Sequence, residues 1–192
     1  MTRAVLGLIA AAVLLLAACS SPARPASFAP ATNQSVQDGF NAGDVMFLQM
    51  MVPHHRQGLV IVGLAAGRAT SPAVHTLAAA IETTQADELA TMSDWLRQWR
   101  QPPVAAAGAH TDHGGLPNTT DREVVALRGI SGTEFDRRFL NVLIAHQDDA
   151  VQLAALETAT GHNAGATALA HRISVSRLAQ IDQMLVLLGQ KP

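Results

Sequence analysis

Asp44-Val45-Met46-Phe47-Leu48-Gln49-Met50-Met51-Val52-Pro53-His54-His55-Arg56-Gln57-Gly58 decides how the rest of the chain is read. Phe47, Met50, Met51, His54 and Gly58, continued by Ile61, Val62 and Ala65, recur at i, i+3, i+4 and i+7. That spacing predicts an amphipathic helix, capped by Asn41 or Asp44 and running to about Arg68. A shift of 92 residues, without a gap, finds the same pattern again. Asp44 meets Asp136, Phe47 meets Phe139, Leu48 meets Leu140 and His54 meets His146. Farther along, Leu64 meets Leu156, Leu77 meets Leu169, Ile81 meets Ile173, Met92 meets Met184 and Leu96 meets Leu188. The register predicts an internal duplication, with halves at about 41–101 and 131–189.

The remaining punctuation is helical. Ser71-Pro72 reads as a cap followed by an N1 proline, opening a helix whose stripe is Val74, Leu77, Ile81, Leu89, Met92, Trp95, Leu96 and Trp99. Pro102-Pro103 ends it, and the Gly/Ala/His-rich stretch to Asn118 reads as a surface connection. Thr120 with Glu123, and Ser131 with Glu134, are spaced as capping boxes for a short and a long helix. Asn163 is placed to cap the last helix, which ends at Gly189. No segment alternates with the period of a strand. The fold class expected is all-α: two duplicated hairpins burying their stripes against each other as a four-helix bundle, plus a short linker helix. His54 and His146 would then stand at matching levels.

The 192 residues suit one domain with its own core. A formal net charge of −2 and a single lysine, Lys191, exclude the basic footprint of a nucleic-acid binder. One cysteine excludes a disulfide framework. Residues 1–18 read as a signal peptide, because the apolar run Ala4 to Ala18 is too short to span a bilayer. The run ends in Leu16-Ala17-Ala18-Cys19, which resembles a bacterial lipobox. Cys19 is therefore the expected lipidation site, residues 19–37 a flexible tether, and 38–190 the bundle domain. A protein anchored to a membrane of the cell envelope, outside the cytoplasm, follows as the expectation.

Several of these motifs carry a family resemblance. Asp44-x-x-Phe47-Leu48-x-Met50-Met51-x-Pro53-His54-His55-x-x-Gly58, then Gln85-x-x-Glu88-Leu89-x-x-Met92-x-x-Trp95-Leu96, resembles the exported bacterial family called domain of unknown function 305. His110-Thr111-Asp112-His113-Gly114-Gly115 and Phe135-Asp136-x-x-Phe139-Leu140 extend the likeness over about Asp38 to Gly189. The resemblance implies a ferritin-like bundle and, for some members, periplasmic copper binding. The second half departs from the family pattern: Leu143-Ile144-Ala145-His146-Gln147 lacks the second histidine, and Arg177 and Gln180 stand opposite Gln85 and Glu88.

Eight histidines and six methionines are the distinctive chemistry. On a helix Met46, Met50 and His54 form one column and Met51 with His55 a second. Thioether sulfur with imidazole nitrogen suits copper, the thioether favouring Cu(I). The expected metal ligands are thus His54, His55, Met50, Met51 and His146, with Met46, Met92, Met184, His110 and His113 as weaker candidates. Pro53 should kink the helix just before the histidine pair. Core packing explains the methionines equally well, and a satisfied core histidine is the alternative for His54 and His146. Asp149 is a candidate orienting acceptor for His146, while His75, His162 and His171 read as background.

Enzymatic constellations are missing from the sequence. No Glu has a His three residues on, no metalloprotease, nucleophile-elbow, phosphate-loop or dinucleotide motif is present, and the lone cysteine goes to the anchor. Two functions remain open: an envelope lipoprotein that sequesters or transfers copper or another soft metal, and a structural or partner-binding helical lipoprotein without metal.

Overall fold

The computed structural model describes residues 39–106 and 119–189. Six helices follow in order: α1 (Ala42–Gly63), α2 (Ala65–Arg68), α3 (Pro72–Gln98), α4 (Asp121–Arg128), α5 (Gly132–Thr160) and α6 (Ala164–Leu187). Among the described residues there is no strand, and no helix is long and apolar enough to cross a membrane.

Short polar side chains start most of these helices. Asn41 caps α1 by accepting from the Asp44 amide, and the Asp44 carboxylate accepts the Asn41 amide in return, at 2.9 and 2.6 Å. Thr120 and Glu123 form the expected box on α4. Asn163 accepts from the amides of Gly165 and Ala166 at the start of α6. The expected box on α5 does not form: Ser131 stands at the N-cap, but its side chain makes no capping hydrogen bond. The first helix also ends sooner than its periodicity implies, because a turn at Leu64 separates α1 from α2. Helix α1 runs unbroken through Pro53.

The buried residues fall into two apolar clusters, and every long helix crosses from one to the other. Near the start of α1 lies the first, built from Phe47, Met50, Met51, Met92, Trp95, Leu96, Leu153, Leu169 and Ile173 among others. Near the start of α5 lies the second, with Ile61, Val74, Leu77, Ile81, Leu127, Phe135, Phe139, Leu143 and Met184. Helices α1 and α6 therefore run from the first cluster to the second, and α3 and α5 run from the second to the first. Because α3 and α5 point the same way, α3 ends at the first cluster and α5 begins at the second. Between the two clusters each helix inserts polar side chains: His54 and His55, Gln85 and Glu88, His146 and Gln147, Arg177 and Gln180.

The two ends are tied by acidic side chains. Asp44 on α1 accepts the amides of His162 and Asn163 at the entry to α6, at 3.0 and 2.9 Å. Asp136 on α5 accepts the amides of Thr70 and Ser71 and the Thr70 hydroxyl at the entry to α3. Aspartates suit these places because a helix N-terminus offers unpaired amides and a positive dipole end.

Candidate functional site: the polar layer at the bundle centre

Helical spacing delivers the polar layer. His54 and His55 sit one helical turn past Met50 and Met51, so the face that buries the methionines also buries the histidines, at 4% and 0% exposure. The His54 ring stacks on His146 with centroids 3.9 Å apart and planes 11° from parallel. His54 Nε2 lies 3.0 Å from the backbone carbonyl of His146 and so carries the proton it donates there. His146 Nδ1 lies 3.1 Å from Thr119 Oγ1. Gln57 pins Thr119 by accepting its amide at 3.1 Å and donating to its carbonyl at 2.7 Å. The returning connection is thus fastened at mid-bundle. Thr119, not Asp149, is the group at His146 Nδ1.

Such close ring packing needs a residue without a side chain opposite it. A Cβ on Gly58 would stand 2.2 Å from Gln85 Oε1 and 2.9 Å from His146 Nε2. Gly58 is therefore the gap into which both side chains fit.

Beside the stacked pair lies a charged triad. His55 Nε2 is 2.8 Å from Glu88 Oε2, and Arg177 pairs with the same carboxylate oxygen while standing 3.2 Å from His55 Nε2. Arg177 is fully buried. Shifting these three positions by 92 gives Gln147, Gln180 and Gln85, which are also joined: Gln85 donates to Gln147 at 3.4 Å, and Gln147 donates to Gln180. By the 92-residue register, the charged triad corresponds to an amide triad.

Burial governs the titration of the layer. Desolvation, aided by the charges of His146 and His55, holds His54 well below the ordinary imidazole value. Desolvation, with His55 and Arg177 beside it, lowers His146 to about 3. Desolvation also lowers His55, although its hydrogen bond to Glu88 opposes it. Burial pushes Glu88 up, but the His55 hydrogen bond and the Arg177 charge outweigh it and leave the carboxyl below its usual range. The three imidazoles are neutral at physiological pH, with the lone pairs that metal ligation requires. His54 Nδ1 and His146 Nε2 have no hydrogen-bond partner among the described residues.

The structure brings His54, His55 and His146 to one level. Among the described residues, no three His, Cys, Asp or Glu side chains converge as a metal set. Stacked rings hold their lone pairs in parallel planes, so a single ion bound by both histidines requires one ring to turn. Met50, Met51 and Met92 lie in the first apolar cluster and Met184 in the second, all at 2% exposure or less. Met46 alone of the helix methionines reaches the surface, where it lines an open pocket of about 400 Å3 with Phe40, Asn41, Ala42, Val45, Gln49 and Gln101. His110, His113 and Cys19 lie outside the described residues.

Glu88, Gln85 and Thr119 were not readable as parts of the site. Arg177 was readable as a break in the register, but not as a charge delivered beside His55.

Comparison with known proteins places this geometry. The DUF305 family profile, a domain of unknown function, matches residues 44–188. Among solved structures, a DUF305 protein of Streptomyces coelicolor described as secreted is 25% identical with a TM-score of 0.72, over 78% of this chain and 95% of that one. A DUF305 fragment from Deinococcus radiodurans is 26% identical with a TM-score of 0.69, over 78% and 97%. CopM in its Cu(I)-bound form is 30% identical with a TM-score of 0.63, over 76% and 95%, and CopM has also been solved with Cu(II) and with silver. No curated protein matches the chain.

Proposed function

Since the chain belongs to the DUF305 family, we propose that it is an extracytoplasmic copper-binding protein that sequesters or hands on Cu(I), anchored by a lipid on Cys19 after removal of residues 1–18. One observation carries the reading: CopM, a Cu- and Ag-binding structure, is 30% identical over most of both chains. The donor chemistry agrees. Met46, Met50, Met51, His54 and His55 lie on one stretch of α1, and His54 Nδ1 and His146 Nε2 are buried nitrogens without hydrogen-bond partners among the described residues. Neutral imidazole and thioether are the ligands that soft ions select. Copper is cargo in this reading, and the protein has no catalytic role. We take the long crossover between α3 and α5 as the ferritin-like arrangement, and the 92-residue register as a duplication of one helical hairpin.

The experiment is titration of the purified protein with Cu(I) and Ag(I) beside a His54→Ala/His146→Ala variant. Stoichiometric binding by the wild type, weakened about ten-fold or more in the variant, is the expected result. Equal binding by the two removes the histidines from the site, and no binding by the wild type overturns the reading. Labelling with a radioactive fatty acid, lost in Cys19→Ala, tests the anchor.

The metal-free alternative, a partner-binding helical lipoprotein, has one observation in its favour. The buried Arg177 already supplies Glu88 with a cation, so the centre of the layer holds its charge balance without metal.

A further inference from the structure

The contact of His55, Glu88 and Arg177 is unusual in its bonding. Glu88 Oε2 can only accept, and an arginine nitrogen can only donate. His55 Nε2 lies 2.8 Å from the first and 3.2 Å from the second. One nitrogen cannot give a proton to the carboxylate and a lone pair to the guanidinium at once. With Nε2–H donating to Glu88, Nε2 and the Glu88 oxygen both stand against the Arg177 nitrogen, and release of that proton would leave two donors around one cation. Two donors about 2.1 Å from a tetrahedral ion stand about 3.4 Å apart, so an entering ion would part His55 Nε2 and Glu88 Oε2 from their 2.8 Å contact.

We propose that His55 and Glu88 form a latent site for a divalent transition ion, and that the buried guanidinium of Arg177 is the resident cation that closes it. Imidazole nitrogen and carboxylate oxygen suit borderline ions such as Zn(II) and Co(II), unlike the thioether-rich set proposed for Cu(I). Glu88 keeps an 11% exposed side chain, so water reaches the carboxylate to complete the coordination. Arginine cannot release its proton to make room for a metal, as a lysine can. It is fully buried, without solvent to withdraw into. Arg177 thereby acts as a selectivity element, keeping divalent ions out of the bundle centre. The positions related by the 92-residue shift, Gln147, Gln180 and Gln85, are joined without any charge, so the closing cation has no counterpart at the related positions. This deepens the copper reading, and rests on it only in naming which ions the exclusion favours.

The test uses the full-length protein and the visible d–d absorption of Co(II), with Zn(II) as competitor. Wild type is compared with Arg177→Met, which removes the charge at similar length, with Arg177→Gln, and with Arg177→Gln/Glu88→Gln. The two single variants are expected to bind one Co(II) about ten-fold or more tightly than wild type, and the double variant to return to the wild-type level. Folded single variants, checked by circular dichroism, that bind Co(II) no better than wild type would overturn the proposal. If neither single variant folds, wild type against Glu88→Gln decides: equal Co(II) binding supports a closed site, and weaker binding in Glu88→Gln refutes it. Ag(I) titration of the same samples separates the two ideas, because a wild type that binds no Ag(I) sinks the copper reading and leaves the Co(II) comparison intact.

Discussion

Asp44 and Asp136 perform the same task at opposite ends of the molecule. Each sits early in the first helix of its half, and each carboxylate accepts the two amides that lead into the last helix of the other half. The four amide donors, Thr70 and Ser71 against His162 and Asn163, differ by the same 92 residues as the aspartates. The halves therefore interlock by exchanging helix caps. Asp136→Ala removes acceptors for two backbone amides and the Thr70 hydroxyl, and the expected loss is about 2–3 kcal/mol. Urea denaturation should show a lower midpoint with an unchanged slope. A loss below about 0.5 kcal/mol would mean that water replaces the carboxylate without cost.

Glu157 makes stability fall on the alkaline side. Glu157 is 1% exposed, and burial, then its interaction with Asp44, raises its carboxyl to about 8. In the unfolded chain the same group titrates near 4.5. A group whose folded value is raised stabilises fully below the unfolded value, and that contribution is lost as pH climbs from about 4.5 through about 8. The Glu157→Gln variant, which cannot ionise, should lack this decline. Free energies of unfolding at pH 5, 6.5, 8 and 9 check it, and parallel curves for the two proteins would remove Glu157 as the cause.

The buried histidines act in the opposite direction at acid pH. Folding favours the neutral imidazole, since His146 falls to about 3 and His54 and His55 are also lowered, chiefly by burial. Their contribution is whole above about 6.5, where a free imidazole titrates, and is lost as pH falls toward about 3. The acid-side loss from His146 and the alkaline-side loss from Glu157 thus act on opposite sides of neutrality in the metal-free protein. In His146→Gln the slope between pH 6.5 and 4 should be shallower than in wild type. An unchanged slope would exclude His146 from acid unfolding.

Much of this architecture could be read from residue order because its causes are local. The i, i+3, i+4 stripes, the Ser71-Pro72 and Asn163 starts and the Thr120/Glu123 box each act within a few residues, and all appear where expected. The Ser131 box did not form, and the backbone there departs from the helical pattern that the spacing assumes: Gly132, the first residue of α5, is left-handed at φ 71°. The histidine level was legible through the 92-residue register, and His54 does meet His146. The environment of that level was not. Arg177, Glu88 and His55 come from three helices, and Thr119 from the crossover, so their meeting depends on how the helices pack. Equal spacing also cannot tell a methionine that packs from one that binds metal, and Met50 and Met51 occupy core positions either way.

Gly58 gives the most local test of the layer. Replacing a helical glycine by alanine ordinarily stabilises by about 1 kcal/mol, because the backbone loses less freedom on folding. Gly63, near the end of the same helix, has nothing among the described residues within 4 Å of an added Cβ, so Gly63→Ala should show that gain. At Gly58 the added methyl would intrude on Gln85 Oε1 and His146 Nε2, at 2.2 and 2.9 Å. Both partners are fully buried, and displacing them strains the histidine stack and the Gln85–Gln147 contact. Gly58→Ala is therefore expected to cost about 1–3 kcal/mol despite its better helix propensity. Thermal unfolding of the two variants side by side measures the difference, and a Gly58→Ala protein as stable as Gly63→Ala would show that the polar layer has room to spare.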